Sequence, residues 1–185
     1  DPQGCCRCFL FRMAIRFHRR VIRRWLDFSR AHREALLELL CDETVTRTYM
    51  VPPLETEEKK NSMFLRFEEL SHSPGRYIRA IQLSGKLIGI INDVGTEDGK
   101  IELGYAMLPR YWGHGYMTAA LRTAISELAE AGFNRVECGA FETNEKSIAV
   151  MKRCGMKMIA ETDRVSYRGT DHLCVYYALN IREKT

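Results

Sequence analysis

The residues Arg110-Tyr111-Trp112-Gly113-His114-Gly115-Tyr116 decide how the fold is interpreted, because they join two contrasting patterns. An apolar, strand-like run, Ile101–Leu108, precedes them, and a helix-like pattern, Gly115–Ala131, follows. Glycines two positions apart at such a junction leave several backbone N–H groups unpaired and pointing the same way. The positive end of the helix dipole lies behind these groups. The stretch therefore predicts a site for phosphate oxygens.

Hydrophobic periodicity on both sides of this stretch predicts an alternation of strands and helices. We predict strands at Val21–Trp25, Tyr77–Leu83, Lys86–Val94, Ile101–Leu108, Arg135–Ala140, Met158–Tyr167 and His172–Asn180. Helices are predicted at Ser29–Leu40, Thr44–Met50, Glu55–Leu70, Gly115–Ala131 and Asn144–Cys154. This order indicates an α+β fold with a twisted mixed sheet of about seven strands and four or so helices. It disfavours a doubly wound nucleotide fold, in which helices separate nearly all strands.

Length and composition indicate one globular domain. The chain has 185 residues, of which 45% are hydrophobic and 28% charged, as in ordinary globular proteins. We assign residues 13–185 to this domain. Residues 1–12 are expected to be a tag or a disordered tail, because the chain starts with Asp1 and Met13 offers a natural start. Their Arg-rich, acid-poor composition leaves a transit peptide or a membrane-surface helix as alternatives.

Charge and cysteine usage argue against several classes of function. The net charge of +4 comes from arginines within residues 1–24, so the rest of the chain has no basic bias, which argues against a broad nucleic-acid footprint. No apolar run approaches the roughly 20 residues that span a membrane. The crowded Cys5, Cys6 and Cys8 have no matching downstream pair, so no metal site is predicted. The other cysteines are expected to be buried free thiols, which favours a reducing, cytoplasmic location.

Four pieces of sequence together carry a resemblance to a known family. Residues 110–115 match the Arg/Gln-x-x-Gly-x-Gly signature of the GNAT superfamily of N-acetyltransferases. The runs Ile101–Tyr105, Asn144–Ser147 and Cys154–Met156 resemble its ribosomal-protein-alanine N-acetyltransferase-like branch. The resemblance covers about residues 20–180. It implies the GNAT fold, acetyl-CoA as cofactor, and direct acetyl transfer to a primary amine in a ternary complex.

The resemblance also implies which residues bind coenzyme A. Backbone groups of Met107 and Leu108 would hold the pantetheine arm, and the N–H of Leu108 would polarise the thioester carbonyl. Arg110 would add positive charge near the pyrophosphate. The side-chain amide of Asn144 would contact the cofactor, although an N-cap alone is the alternative. The residues implied to wrap the pyrophosphate are Gly113, His114, Gly115, Tyr116, Met117 and Thr118.

Two residues are candidates for proton transfer. Glu102 lies five residues before Met107, a spacing at which related enzymes carry a catalytic glutamate, and partial burial would raise its pKa. The alternative is a solvent-facing or salt-bridged strand residue, with Asp93 as a weaker competitor. Many family members have a tyrosine that acts as the general acid where this chain has Met151, which cannot donate a proton. The resemblance proposes Ser147 instead, either as the acid or only as a hydrogen-bond donor to the sulfur or the helix start.

The sequence leaves the acceptor open. A protein N-terminus, such as that of a ribosomal protein, and a small amine such as a polyamine, amino acid or aminoglycoside both fit. Residues 44–62 and 164–172 are expected to select it. The rival interpretation is a catalytically inactive acyl-CoA-binding or sensory module. Two residues favour it: Met151 replaces the tyrosine of many family members, and Ala119 replaces the glutamate that relatives usually carry. We expect a monomer or homodimer.

Overall fold

The computed structural model describes residues 28–181 of the chain. Its α-helices are α1 (Arg33–Cys41), α2 (Glu43–Thr46), α3 (Glu57–His72), α4 (Tyr116–Glu130) and α5 (Glu145–Arg153). Its strands are β1 (Ile78–Leu83), β2 (Lys86–Glu97), β3 (Lys100–Met107), β4 (Arg135–Phe141), β5 (Lys157–Tyr167) and β6 (Thr170–Asn180). The predicted Val21–Trp25 strand and the predicted tail at residues 1–12 lie outside the described residues.

The strands form one mixed sheet in the order β1-β2-β3-β4-β6-β5. Among the strands of residues 28–181, β3 and β4 pair in parallel and the other neighbouring pairs are antiparallel. The predicted α+β class is therefore confirmed, with six strands in the described part of the chain. The predicted Ser84-Gly85 hairpin turn is also confirmed, because both residues have the positive φ that such a turn requires.

Two predicted boundaries were wrong. The helix predicted at Thr44–Met50 is only four residues long, Glu43–Thr46. It starts earlier because the Asp42 side chain accepts the N–H of Val45, and the chain then turns so that Tyr49 packs into the core. Strand β2 continues past the predicted Val94 to Glu97, because a bulge between Asp93 and Gly95 restores its pairing with β3.

Buried side chains form one hydrophobic cluster on each face of the sheet. The first packs α4 against the sheet through residues such as Leu121 and Leu128. The second packs α1 and α3 against the opposite face, with Leu36 and Phe64 among its buried members. Successive side chains of a strand point to opposite faces of the sheet. Neighbouring residues of β3 therefore face different helical layers.

The tip of the β5–β6 hairpin is tied to α2 by two hydrogen bonds. The Tyr167 hydroxyl donates to the carbonyl oxygen of Thr46 at 2.7 Å. The Arg168 guanidinium donates to the Thr46 hydroxyl at 2.9 Å. Both segments lie within the regions that were expected to select the acceptor. Their contact fixes the end of α2 relative to the far side of the sheet.

Asp93 joins β1 to β2 at the edge of the sheet. The residue is only 4% exposed, and its carboxylate accepts the backbone N–H of Tyr77 at 2.9 Å and pairs with Arg76 at 3.1 Å. Both carboxylate oxygens therefore have a partner within the protein. This weaker candidate base has a structural role.

We predict that Asp93→Ala lowers the free energy of unfolding by about 1–3 kcal/mol, because the buried N–H of Tyr77 loses its acceptor. Urea titration followed by circular dichroism measures the change. Glu97→Ala, on the exposed end of the same strand, is the matched control and should change it by less than about 0.5 kcal/mol. Equal effects of the two substitutions would contradict this role for Asp93.

Candidate active site

A cleft of about 870 Å³ opens where β3 and β4 diverge. The two strands pair over only three positions, from Lys100–Arg135 to Glu102–Glu137. Beyond these positions β4 continues to pair with β6, while β3 continues with β2. The diverging strands, the end of α2, the start of α4 and one side of α5 line the cleft.

The backbone of β3 presents hydrogen-bonding groups to this cleft. The N–H of Leu108 donates to the carbonyl of Ile88 on β2 at 3.0 Å. Because antiparallel bonding alternates along a strand, the N–H and C=O groups of Tyr105 and Met107 point away from β2, toward β4. The indole N–H of Trp112 donates to the Met107 carbonyl at 2.7 Å, in agreement with this direction.

The role predicted for the N–H of Leu108 is therefore wrong. That group already bonds to Ile88, and the Leu108 side chain is fully buried in the cluster on the far face. Because the backbone N–H groups of a strand point alternately to its two sides, the neighbouring N–H of Met107 faces the cleft instead. The sequence could not show this, because the register of β3 against β2 sets which residues face the cleft.

The glycine stretch forms the turn that brings α4 to the cleft. Gly113 and Gly115 have φ of +79° and +78°, a left-handed conformation that costs other residues roughly 1–2 kcal/mol. Gly115 is the N-cap of α4, so the free N–H groups of the first turn face the cleft together with Tyr116, Met117 and Thr118. The exposed His114 stacks on Tyr116 and does not line the cleft.

Arg110 points to a carboxylate outside the cleft. Its guanidinium forms a bidentate ion pair with Glu38 on α1, one of whose bonds measures 3.1 Å, and this pairing lowers the pKa of the Glu38 carboxyl. Its contribution to cofactor binding stays a prediction. The cations that do line the cleft are Lys146 and Arg153, which the sequence reasoning missed. Their spacing of seven residues, which places them on one face of α5, was the available signal.

Asn144 and Ser147 lie at the start of α5. The side-chain oxygen of Asn144 accepts the N–H of Ser147 at 3.2 Å, so Asn144 caps the helix, and the residue also lines the cleft. The Ser147 hydroxyl lies 2.8 Å from the hydroxyl of Tyr105 on β3. Tyr105 belongs to the run Ile101–Tyr105 that resembles the family, and the sequence predicts no role for it. Its position in the same strand as Glu102, three residues later, placed it on the opposite face.

Glu102 is half-buried at the other end of the cleft. Burial raises the pKa of its carboxyl, and the neighbouring carboxylates of Glu137 and Asp163 raise it further. It takes part in none of the ion pairs formed by residues 28–181, so the salt-bridged alternative does not hold. Besides Glu102, this end is lined mainly by uncharged side chains: Val45, Tyr49, Met50, Asn92, Val94, Phe141 and Tyr176.

The cleft joins the two faces of the sheet. Glu102 points to the face covered by α1 and α3, and Tyr105 and Ser147 lie on the face covered by α4 and α5. Backbone donors of β3 lie between them. An acyl group held there would meet a carboxylate from one side and hydroxyl groups from the other.

Comparison with known sequences identifies the family. The profile described as an acetyltransferase (GNAT) domain matches residues 19–157, well over half of the chain. The chain belongs to the GNAT acetyltransferase family. The acyl donor of this family is acetyl-CoA.

Individual relatives agree with this family. The chain is 36% identical over 103 residues to YdaF of Bacillus subtilis (strain 168), whose name assigns it provisionally as a ribosomal N-acetyltransferase. That match covers 54% of this chain and 56% of YdaF, so the chain matches little more than half the length of this relative.

Solved structures share the GNAT fold. A GNAT-family acetyltransferase from Bacillus anthracis is 22% identical, with 84% of this chain and 93% of that chain covered and a TM-score of 0.70. RimL, a ribosomal L7/L12 α-N-protein acetyltransferase in complex with coenzyme A, is 21% identical, with 84% and 92% covered and a TM-score of 0.74. At these identities the likeness concerns the fold alone.

Gly139 leaves space beside Glu102 in this GNAT domain. A methyl group added there would lie 2.8 Å from Cε1 of Tyr176 and 3.5 Å from Oε1 of Glu102. We predict that Gly139→Ala lowers the free energy of unfolding by about 1–3 kcal/mol, because the tyrosine ring must move. Gly95→Ala has no atom within 4 Å of the added group and is the control, expected within about 0.5 kcal/mol in urea titration. A Gly139→Ala protein as stable as this control would contradict the close packing.

Proposed function

We propose that the protein transfers an acetyl group from acetyl-CoA to a primary amine by direct attack in a ternary complex. The observation that carries this proposal is the divergence of β3 and β4. It opens a cleft with a glycine-rich helix N-terminus at one end and the half-buried Glu102 at the other. A cofactor and an acceptor can therefore approach the same backbone donors from opposite ends.

The cofactor end suits coenzyme A. Residues 113–118 offer backbone N–H groups and the helix dipole to the pyrophosphate. The cleft-facing backbone of Tyr105 and Met107 would bond the pantetheine arm, and the N–H of Met107 would stabilise negative charge on the thioester oxygen. Asn144 lines the same cleft, and its NH₂ group would contact the cofactor.

Glu102 would remove the proton that the attacking amine must lose. Its raised pKa favours proton uptake, either directly or through one water. As the amine nitrogen bonds to the acetyl carbon, the C–S bond breaks and coenzyme A leaves as a thiolate. Ser147 would donate the proton that this sulfur takes up.

A protein N-terminus, such as that of a ribosomal protein, is the acceptor that we favour. YdaF and RimL carry names that point to ribosomal proteins, and this supports the proposal. The acceptor end pairs one carboxylate with mostly uncharged side chains, which suits an ammonium group followed by a neutral peptide segment. A small amine remains the second candidate.

We propose a cytoplasmic setting on the basis of the thiols. The cysteines of the described segment, Cys41, Cys138, Cys154 and Cys174, are all free, but the predicted burial is confirmed only for Cys138 and Cys174, since Cys154 is half-buried and Cys41 is exposed. Because disulfides are rare in reducing compartments, this supports a cytoplasmic location. Within the described residues, no helix has the length and apolar character needed to cross a membrane.

Thiol release from acetyl-CoA tests the proposed reaction. We expect release with a peptide bearing a free ribosomal-protein N-terminus, and none with the same peptide after its α-amine is blocked. Spermidine, a free amino acid and an aminoglycoside test the second candidate. Cofactor binding without acceptor-dependent thiol release would instead support the inactive acyl-CoA-binding module.

We predict that Glu102→Gln lowers kcat by about 10²-fold or more and flattens the rise of the rate with pH, because the base is lost. Coenzyme A affinity should stay unchanged, since Glu102 lies at the acceptor end. Rates at several pH values and calorimetric binding measure the two effects. An unchanged pH profile would remove Glu102 from the mechanism.

Glu137→Gln provides a matched second variant. The Glu137 carboxylate raises the pKa of Glu102, so its neutralisation should lower that pKa. The base is then ionised at lower pH, and the rising part of the rate profile should move toward lower pH while kcat at high pH is retained. A shift toward higher pH would contradict this electrostatic role.

A further inference from the structure

The hydroxyl groups of Tyr105 and Ser147 meet at the cofactor end of the cleft, from two different elements. Their oxygens are 2.8 Å apart, and the Tyr105 hydroxyl is also 3.1 Å from the Ser147 carbonyl oxygen. Both residues line the cleft. Forty-two positions separate them in sequence, so the pairing is a product of the fold.

The Tyr105 hydroxyl has two acceptors within reach, the Oγ and the carbonyl oxygen of Ser147. Ser147 lies in the first turn of α5, where its carbonyl faces the N–H of Met151 four residues later. The Ser147 Oγ is the nearer acceptor and has no such backbone partner. The arrangement that we propose has the Tyr105 proton directed at Oγ, the nearer of its two acceptors. The single proton of Ser147 is then free to point into the cleft.

We propose that Tyr105 is a positioning residue that aims the Ser147 hydroxyl proton at the departing sulfur. This inference rests on the proposed function and adds a residue to it. When the C–S bond breaks, the sulfur takes the Ser147 proton, and Ser147 regains one from water as coenzyme A leaves. Tyr105 keeps its own proton throughout and donates a hydrogen bond to the negative charge that develops on Oγ.

A hydrogen bond from Tyr105 would stabilise the negative charge that develops on Ser147 Oγ. A serine hydroxyl is a poor acid, so negative charge on Oγ needs stabilisation. A hydrogen bond to a charged oxygen is roughly twice as strong as one between neutral groups. Burial raises the pKa of the Tyr105 hydroxyl, so it remains a donor at every pH at which the enzyme is assayed.

A double-mutant cycle with Tyr105→Phe and Ser147→Ala tests the proposal. We expect Tyr105→Phe to lower kcat by about 10- to 100-fold with KM for acetyl-CoA unchanged. In the Ser147→Ala background the same substitution should change kcat by less than about twofold. Tyr77→Phe is the matched control. It removes a hydroxyl that bonds to Glu127 at 2.8 Å, away from the cleft, and should leave kcat unchanged.

Each other outcome overturns the inference. Equal losses from Tyr105→Phe in both backgrounds would indicate a general structural role. A large loss from Tyr105→Phe beside a small one from Ser147→Ala would make Tyr105 the direct donor. An unchanged kcat in Tyr105→Phe would leave the proposed function standing and remove Tyr105 from it. Absence of turnover in the unaltered chain, with every amine offered, would overturn the proposed function and this inference together.

Discussion

The short pairing between β3 and β4 is the constraint on which the rest of the site depends. Three paired positions hold the two strands together, and each strand then follows a different antiparallel neighbour. Backbone groups that would otherwise bond across the sheet are left facing a cleft. In a sheet, backbone N–H and C=O groups normally bond to the neighbouring strand. Where β3 and β4 diverge, those groups lack a strand partner and are available to a ligand.

The alternation of side chains along β3 divides the chemistry between the two faces of the sheet. Glu102 and Tyr105 differ by three positions and therefore point in opposite directions. The carboxylate faces the acceptor end, whereas the hydroxyl faces the start of α5. In the proposed mechanism, the sheet would therefore separate the two proton transfers and keep the carboxylate away from the thiolate.

The sequence predicted those parts of the site that depend on local backbone geometry. The glycine stretch, the strand before it and the helix after it all lie where their patterns indicated. Contacts between distant segments were missed, because they depend on register and on packing. The N–H of Leu108 bonds to a strand 20 residues earlier, and Arg110 pairs with Glu38, 72 positions away. Tyr105 gains its significance only from a helix that folds against it.

The ties from Tyr167 and Arg168 to Thr46 have a consequence for assembly. They join residues more than 120 positions apart in the chain, whereas the phosphate cradle and the strand before it are contiguous. Contacts of long sequence separation carry the larger loop-closure cost and form late. The contacts at the hairpin tip therefore have a much larger sequence separation than those within the glycine turn. During synthesis, the glycine turn at residues 113–118 is added to the chain before the hairpin tip at residues 167–168, to which Thr46 is tied.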